Sequence, residues 1–124
     1  MNFEFNNTAP IYIQLVEQLK IKIISAELQP LERLPSVREL ALITKVNPNT
    51  MQKALTELEE TGLIFTERTN GKFVTGDRAL IEKHKKEYAD CLCQKFIADM
   101  KKLGYSGGEA INYIETQEDY YETC

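Results

Sequence analysis

Several residue types are scarce in this sequence, and each scarcity removes a class of protein. The 124 residues contain no tryptophan, one histidine and three cysteines, and the cysteines all lie in the last third of the chain. An odd number of cysteines placed in this way is a poor disulfide framework and fits a reducing compartment. No apolar run approaches the roughly 20 residues that a membrane-spanning helix requires. The first residues, MNFEFNNTAP, lack the basic start and apolar core of a signal peptide, so we expect a cytoplasmic protein with no membrane partner.

Glycine and proline are also few, at 6 and 4 residues, whereas the hydrophobic content of 43% and the charged content of 27% match an ordinary globular protein. The formal net charge of -4 excludes a chain that is coated everywhere with basic groups. Residues 1–76 hold 8 Lys/Arg and 9 Asp/Glu, and residues 77–124 hold 7 and 10, so the acidity lies mostly at the C-terminal end. The length allows one ordinary domain, or a small domain with a helical appendage.

The first half of the chain carries two helix signals separated by a loop. Apolar residues recur at helical spacing from Ile11 to Leu28, and this predicts a first helix. Gln29-Pro30 ends that helix, and the loop continues to Pro35. The sequence Ser36-Val37-Arg38-Glu39 is a capping box, in which the serine hydroxyl and the glutamate carboxylate each accept from a backbone amide of the other residue. It predicts a second helix from Ser36 to about Thr44.

A third helix and a hairpin follow. Asn47 is a good N-cap, Pro48 suits the first helical position and Gly62 is a helix stop, so the helix should run from Pro48 to about Thr61. Two β-rich runs, residues 63–68 and 72–75, flank an Asn-Gly dipeptide, which is a strong hairpin signal. We therefore expect an α+β fold in which residues 1–76 form a winged helix-turn-helix DNA-binding domain of three helices and a two-stranded wing.

The sequence of residues 77–124 predicts a two-helix hairpin. We expect this region to form the dimer and to be the possible site of an effector. A long polar helix should run from Asp77 to about Leu103, Gly104-Tyr105 should break it, and a second Ser-x-x-Glu box at Ser106 should start a shorter helix. The long helix carries a narrow apolar stripe, which is too apolar for a lone surface helix and should pair with its counterpart across a two-fold axis. The residues assigned to this dimer interface are Leu80, Ile81, Tyr88, Cys91, Leu92, Phe96, Met100 and Leu103.

The third helix has an unusual distribution of acids. Its first two turns contain no carboxylate, and its glutamates, Glu57, Glu59 and Glu60, are crowded near its end, although the helix dipole favours the reverse arrangement. At about 100° per residue, one side of the helix is apolar and should pack on the first two helices. The opposite side is polar and carries no acid until Glu57, so its N-terminal half suits a surface that meets phosphate and offers amide side chains to base edges.

In a helix-turn-helix the N-terminal residues of the second helix are those that reach base edges. The cationic residues around this helix are expected to contact phosphate. They lie near the start of the second helix, in the turn and in the wing. Together with the third helix they give the predicted DNA-binding residues: Arg38, Lys45, Asn47, Asn49, Thr50, Gln52, Lys53, Arg68, Gly71 and Lys72.

Three stretches resemble one known family. PIYIQLVEQLKIKIISAELQPLERLPSVRELA, VNPNTMQKALTELEETGLI and NGKFV resemble, in this order and over about residues 10–75, the winged-helix domain of the GntR family of bacterial transcription regulators. The short tail is similar to that of the YtrA subfamily, in which two C-terminal helices make the dimer. The resemblance implies that Arg38 contacts DNA, that Asn49 and Thr50 match the polar pair opening the recognition helix, and that Gly71 matches the wing-tip glycine.

The sequence departs from the family pattern at three places. Many members carry arginines where this chain has Pro48 and Gln52, which puts guanine readout there in doubt, although Asn-Pro-Asn-Thr resembles the YtrA variant. The wing also has Thr69 and Asn70 before Gly71 instead of paired glycines.

The residues that could support other functions are few. Cys91 and Cys93 with His84 suggest a metal site, but residues two apart on a helix point about 200° from each other, so we expect no metal and no cofactor. Nothing resembles a nucleophile with its base or a phosphate loop, so we expect no enzyme activity. Four tyrosines fit packing better than a small-molecule pocket, and the identity of any effector stays open: Tyr105, Tyr113, Tyr120 and Tyr121.

The remaining alternative is a winged helix that binds another protein through its acidic surface. The favoured prediction is a sequence-specific DNA-binding transcription regulator, expected to be a repressor, that binds a near-palindromic operator as a homodimer.

Overall fold

The computed structural model describes residues 1–117, and its elements follow the order that the sequence predicts, so the α+β prediction is confirmed. In these residues the helices and strands are α1 (Ile11–Ile24), α2 (Val37–Thr44), α3 (Pro48–Glu60), β1 (Ile64–Glu67), β2 (Gly71–Val74), α4 (Arg78–Lys102) and α5 (Gly107–Glu115). Tyr120 and Tyr121 of the tyrosine group, and Cys124, lie outside the described residues.

Residue contacts divide the chain into two compact units, Met1–Lys85 and the residues from Lys86 onward. The first turns of α4 therefore belong to the same unit as the three helices and the hairpin. The boundary predicted from the sequence, between residues 76 and 77, falls just before α4 begins and stays a prediction as a domain boundary.

The core of the first unit is built from one face each of α1, α2 and α3. Leu15, Leu19 and Ile23 recur every four residues along α1 and are at most 1% exposed. Leu40 of α2 and Leu55 of α3 are fully buried in the same core. Each such side chain contributes about 1.5–3 kcal/mol through the apolar surface it removes from water, so this packing fixes how α3 is presented.

Helix α1 ends at Ile24, four residues before the end that periodicity predicts. The chain turns at Ala26, which has a φ of 65°, and the Leu28 amide donates back to the Lys22 carbonyl at 2.9 Å. This turn returns Leu28 to the core, where it is 4% exposed. The apolar pattern continues to Leu28 because that residue is buried, although it is no longer helical.

The turn between α2 and α3 is fixed by caps at both of its ends. Ser36 and Glu39 form the predicted capping box, and Lys45 ends α2 in a left-handed conformation with a φ of 58°. The side chain of Asn47 accepts a hydrogen bond from the Asn49 amide at 2.8 Å, as expected of an N-cap. These local interactions set where α3 starts and which residues form its first turn.

The wing is a two-stranded antiparallel hairpin in which Phe65 pairs with Phe73 and Glu67 pairs with Gly71. The loop runs from Arg68 to Asn70, and Gly71 takes a φ of 97°, which a residue with a side chain adopts only at a cost. The Asn-Gly signal therefore located the hairpin correctly.

The segment that leads into α2 adds a short third edge to this sheet, which no local sequence pattern predicts. The Leu31 amide donates to the Val74 carbonyl at 3.0 Å, and the Val74 amide donates to the Glu32 carbonyl at 2.9 Å. The Leu34 amide donates to the Lys72 carbonyl at 2.8 Å, and Arg33 forms an antiparallel bridge with Phe73.

The N-terminal residues lie along α1 and are held by two glutamine side chains. Gln14 accepts from the Asn6 amide at 3.0 Å and donates to the Asn6 carbonyl at 2.9 Å, and Gln18 pairs with both backbone groups of Glu4 in the same way. Four residues of helix rise about 6 Å, and two extended residues rise about 6.6 Å. Glutamines four apart therefore meet alternate residues of an extended segment.

The second unit contains the rest of α4 and all of α5. Gly104 ends α4 with a φ of 94°, and Ser106 and Glu109 form the second predicted capping box at the start of α5. Tyr105 packs edge-on against Tyr113 with ring centroids 5.7 Å apart. In the described part of the chain, no helix combines the length and the apolar character needed to cross a membrane.

Candidate DNA-binding surface

The two sides of α3 differ as the sequence predicts. Its apolar side is closed, because the four residues of that side have no solvent exposure: Met51, Ala54, Leu55 and Leu58. Asn49, Gln52, Lys53 and Thr56 on the opposite side are exposed, and Thr50 is half-buried. The first turn contains no acidic residue. A polar helix face whose first turns carry no acid is suited to a polyanion at its amide end.

Lys53, near the centre of this face, is supported from α1. Its ammonium nitrogen lies 3.9 Å from the centre of the Tyr12 ring, and Tyr12 itself is half-buried. A cation over an aromatic face is attracted to it by about 0.5–1 kcal/mol at an exposed site. Tyr12 thus restricts where the exposed Lys53 charge points, and the sequence analysis missed this contact because the two residues are 41 positions apart in the chain.

Gln52 is oriented along α3. Its amide group donates a long hydrogen bond of 3.4 Å to the Thr56 hydroxyl, which in turn donates to the Gln52 carbonyl at 2.9 Å. Both side chains stay exposed, so the amide remains accessible to a partner.

One of the late glutamates of α3 has a structural role. The Thr66 hydroxyl of the wing donates to the Glu59 carboxylate at 2.6 Å, and the Lys72 ammonium lies 3.6 Å from the same carboxylate. Lys72 also donates to the Thr66 hydroxyl at 2.8 Å. The hydrogen bond from Thr66, followed by the charge of Lys72, lowers the pKa of Glu59. This network ties the wing to the C-terminal turns of α3.

This network makes Lys72 less available to phosphate than the other cations predicted to bind it. Its side chain is only 15% exposed and already has anionic and hydroxyl partners, whereas Arg38, Lys45 and Arg68 are exposed. Asn47 is exposed at the N-cap of α3, and Gly71 is half-buried at the base of the wing loop.

The loop before α2 and the wing enclose a cleft of about 290 Å³. Arg33 and Arg68 stand among its lining residues, together with Ser36, Thr69 and Gly71. Arg33 was not among the residues singled out from the sequence. Backbone pairing with β2 brings Arg33 to the cleft, and no local sequence pattern predicts that pairing.

The residues predicted for a dimer interface are divided between the two units. In the first unit Ile81 is buried, and Leu80 lies so close to Gly62 that a Cβ added there would sit 3.1 Å from its Cδ2. In the second unit Cys91, Leu92, Phe96 and Leu103 are exposed, and Tyr88 and Met100 are half-buried.

The apolar residues of the second unit line a cavity of about 440 Å³ between α4 and α5. The cavity is lined by Leu92, Cys93, Phe96, Ile97, Gly107, Ala110, Ile111 and Ile114. Within residues 1–117, no three His, Cys, Asp or Glu side chains are grouped so that they could hold a metal ion.

This geometry can be set beside known proteins. Residues 11–74, which include α1, the turn, α3 and the wing, match the model of the bacterial regulatory proteins of the gntR family. The chain belongs to the GntR family. Members of this family are DNA-binding transcription regulators, and the acid-free N-terminal half of α3 lies in the matched region.

Two relatives from Bacillus subtilis place this GntR protein more closely. It is 35% identical to the uncharacterised HTH-type transcriptional regulator YhcF over 116 residues, which are 94% of this chain and 96% of that protein. It is 44% identical to the HTH-type transcriptional repressor YtrA over 69 residues, which are 56% of this chain and 53% of YtrA. The chain thus spans about half the length of YtrA, and its likeness supports the YtrA-like subfamily.

Solved structures give the same result for the fold. A GntR family transcriptional regulator from Listeria monocytogenes is 38% identical, superposes with a TM-score of 0.86, and is covered to 98% of its length by 90% of this chain. The DNA-binding domain of AraR in complex with operator ORX1 is 25% identical, with a TM-score of 0.55, over 60% of this chain and 96% of that one. The winged-helix prediction is confirmed by these structures.

Proposed function

We propose that this protein is a repressor that binds a near-palindromic DNA operator as a homodimer, with the start of α3 in the major groove and the wing beside it. The observation that carries the proposal is the exposed side of α3, which presents Asn49, Gln52 and Lys53 and no carboxylate in its first turn. The repressor YtrA and the operator complex of the AraR domain, both similar to this chain, support the assignment.

Each residue of the face has a separate role. Asn49 and Gln52 carry amide groups that pair with the donor and acceptor edge of adenine, so they would read sequence. The ammonium groups of Lys53 and Lys45 and the guanidinium group of Arg38 bind phosphate without regard to base sequence. These residues would therefore position the domain on the duplex. The amide groups determine preference and the cations determine affinity.

The dimer is proposed from the second unit. Leu92 is 56% exposed, Ile111 is 60% exposed, and Phe96 and Ile97 are 37% and 39% exposed. Contiguous apolar surface of this kind marks an interaction site in a protein that is otherwise polar. A second copy is the partner that two-fold symmetry supplies, and it would present two recognition helices to a near-palindromic site.

A selection of bound sequences from random duplex DNA tests the function as a whole. We expect enrichment of a near-palindrome whose half-sites are about one helical turn, roughly 10 base pairs, apart or a multiple of it. Affinity for the selected site should fall roughly tenfold or more between 50 and 200 mM salt, because several phosphate contacts release counterions. Recovery of unrelated sequences, or an affinity that does not respond to salt, would favour the protein-binding alternative.

The dimer is tested separately by sedimentation equilibrium. Leu92→Glu places a charge in the apolar surface and should shift the protein towards the monomer, whereas Gln94→Glu adds the same charge about 200° away on α4 and should leave the mass unchanged. Equal masses for both variants and the parent would place the dimer interface elsewhere.

A further inference from the structure

Arg33 is the side chain that the structure adds to the DNA-facing region and that no motif predicts. It lies in the segment before α2, at residues 31–34, which is fastened to the outer edge of β2 by three backbone hydrogen bonds of 2.8–3.0 Å. Arg33 itself forms the antiparallel bridge with Phe73. Its backbone is therefore part of the wing sheet, although it precedes the wing by some thirty residues in the sequence.

The Arg33 guanidinium lies over the base of the wing loop. Its Nε and Nη2 atoms are 3.5 and 3.7 Å from the position that a Cβ would occupy at Gly71. These distances are ordinary van der Waals contacts, so they place the guanidinium directly against the start of β2. The glycine itself is required by the φ of 97° that the loop adopts.

The charge of Arg33 is not used within the fold. Among residues 1–117 no carboxylate forms an ion pair with it, and its side chain is exposed. Glu67 of β1, which lines the same cleft, accepts a hydrogen bond from the Asn70 amide at 3.0 Å. Lys72, by contrast, is 15% exposed and is held by Glu59 and Thr66.

The cleft beside the wing is lined by two arginines that have no ion-pair partner within residues 1–117, Arg33 and Arg68, and also by Lys72 and Glu67. A guanidinium presents up to five N–H donors in a planar fork, which matches two oxygens of a phosphodiester. The two arginines come from different segments of the chain, and cations outnumber the single carboxylate among the lining residues.

We propose that Arg33, rather than Lys72, supplies a cation with which the wing side of this protein binds a DNA backbone phosphate. Arg33 acts from the segment before α2, with its guanidinium against Gly71. Lys72 instead fixes the wing to α3 through Glu59. The proposal rests on the proposed function, because it requires the α3 face and the wing to meet the same duplex.

The test compares Arg33→Gln with Lys72→Gln in the full chain, bound to labelled operator and to labelled random duplex between 50 and 300 mM salt. Arg33→Gln should weaken binding to both duplexes by about tenfold at low salt and should lower the slope of log K against log salt by about 1. Lys72→Gln should leave that slope unchanged and lower the melting temperature instead. An unchanged slope for Arg33→Gln, or a lowered slope for Lys72→Gln alone, would overturn the proposal.

Lys53→Glu is measured in parallel so that two failures can be told apart. If Lys53→Glu loses affinity while Arg33→Gln behaves as the parent, the assignment of Arg33 is wrong and the α3 face stands. If neither variant changes binding, the proposed DNA-binding surface is wrong, and so is the proposed role of Arg33.

Discussion

Replacing Glu59 with glutamine tests whether the late glutamates of α3 include one that holds the wing. The substitution keeps the size of the side chain and removes its charge. In the structure the Thr66 hydroxyl donates to this carboxylate at 2.6 Å, and the Lys72 ammonium lies 3.6 Å from it. Both partners belong to the hairpin, so the variant should loosen the wing without touching the exposed side of α3.

The expected loss of unfolding free energy depends on how far the Glu59 carboxylate and its partners are exposed to solvent. A hydrogen bond to a charged group contributes about 1.5–3 kcal/mol when it is well shielded. The Glu59 side chain is 37% exposed, so solvent screening reduces this to about 0.5–1.5 kcal/mol. A loss of about 1 kcal/mol should lower the melting temperature by about 4 °C in a domain of this size.

The stability difference between the parent and Glu59→Gln should depend on pH. Because the hydrogen bond from Thr66 and the charge of Lys72 lower the pKa of Glu59, the folded state favours the ionised carboxylate. This stabilisation is complete above the unfolded pKa of glutamate, about 4.3, and is lost as the pH falls through the lower pKa of the folded state. The difference between parent and variant should therefore be present at pH 7 and should shrink at pH 3.

Thermal unfolding followed by circular dichroism at the two pH values measures this difference. Glu60→Gln is the matched control, since Glu60 is the next residue, is exposed, and has no ion-pair partner within residues 1–117. The reasoning is refuted if Glu59→Gln lowers the melting temperature equally at pH 3 and pH 7, or if Glu60→Gln has the same effect at pH 7.

Three further substitutions have defined outcomes. Tyr12→Leu should weaken DNA binding several-fold in fluorescence anisotropy, since the ring that positions the Lys53 ammonium is lost, whereas Tyr12→Phe should bind as the parent; equal losses would assign the effect to the hydroxyl. Gly62→Ala should lower the free energy of unfolding in urea by about 1–2 kcal/mol, because its φ is +83° and Leu80 is close; no loss would contradict that strain. Gln14→Leu should speed hydrogen exchange at the Asn6 amide, and unchanged exchange would show that the N-terminal residues are held by other contacts.

The sequence was sufficient to predict the structural features that depend on neighbouring residues. The start of α3 was predicted because Asn47 and Pro48 act within a single turn, and the two capping boxes did the same for α2 and α5. The inner and outer sides of α3 followed from helical periodicity alone. These features depend on residues at most a few positions apart, and the physical rules for them are strong.

Features that depend on distant residues were missed. The Tyr12 and Lys53 contact joins α1 to α3, and the Arg33 bridge joins the segment before α2 to the wing. Lys72 was assigned to phosphate from its charge and position, but whether it is available depends on Glu59, which lies on another element. A charge count identifies cations, and only the fold shows which of them already have partners.

The end of α1 shows a second kind of limit. Leu28 continues the apolar spacing of the helix, and periodicity therefore extends the helix to it. The chain instead turns at Ala26 and buries Leu28 from a turn, so the burial was predicted and the helix end was wrong.

The central claim is that the exposed side of α3 meets DNA through its acid-free N-terminal half, and binding of Asn49→Ala and Lys53→Glu to operator and scrambled duplexes tests it most directly. Asn49→Ala should reduce the preference for the operator by about 5- to 150-fold, equivalent to about 1–3 kcal/mol for one base contact, with little change on scrambled DNA. Lys53→Glu should weaken both duplexes alike, while Lys85→Glu, an equal change of charge on α4, should have little effect. Isotherms that coincide with the parent for both α3 variants would contradict the account.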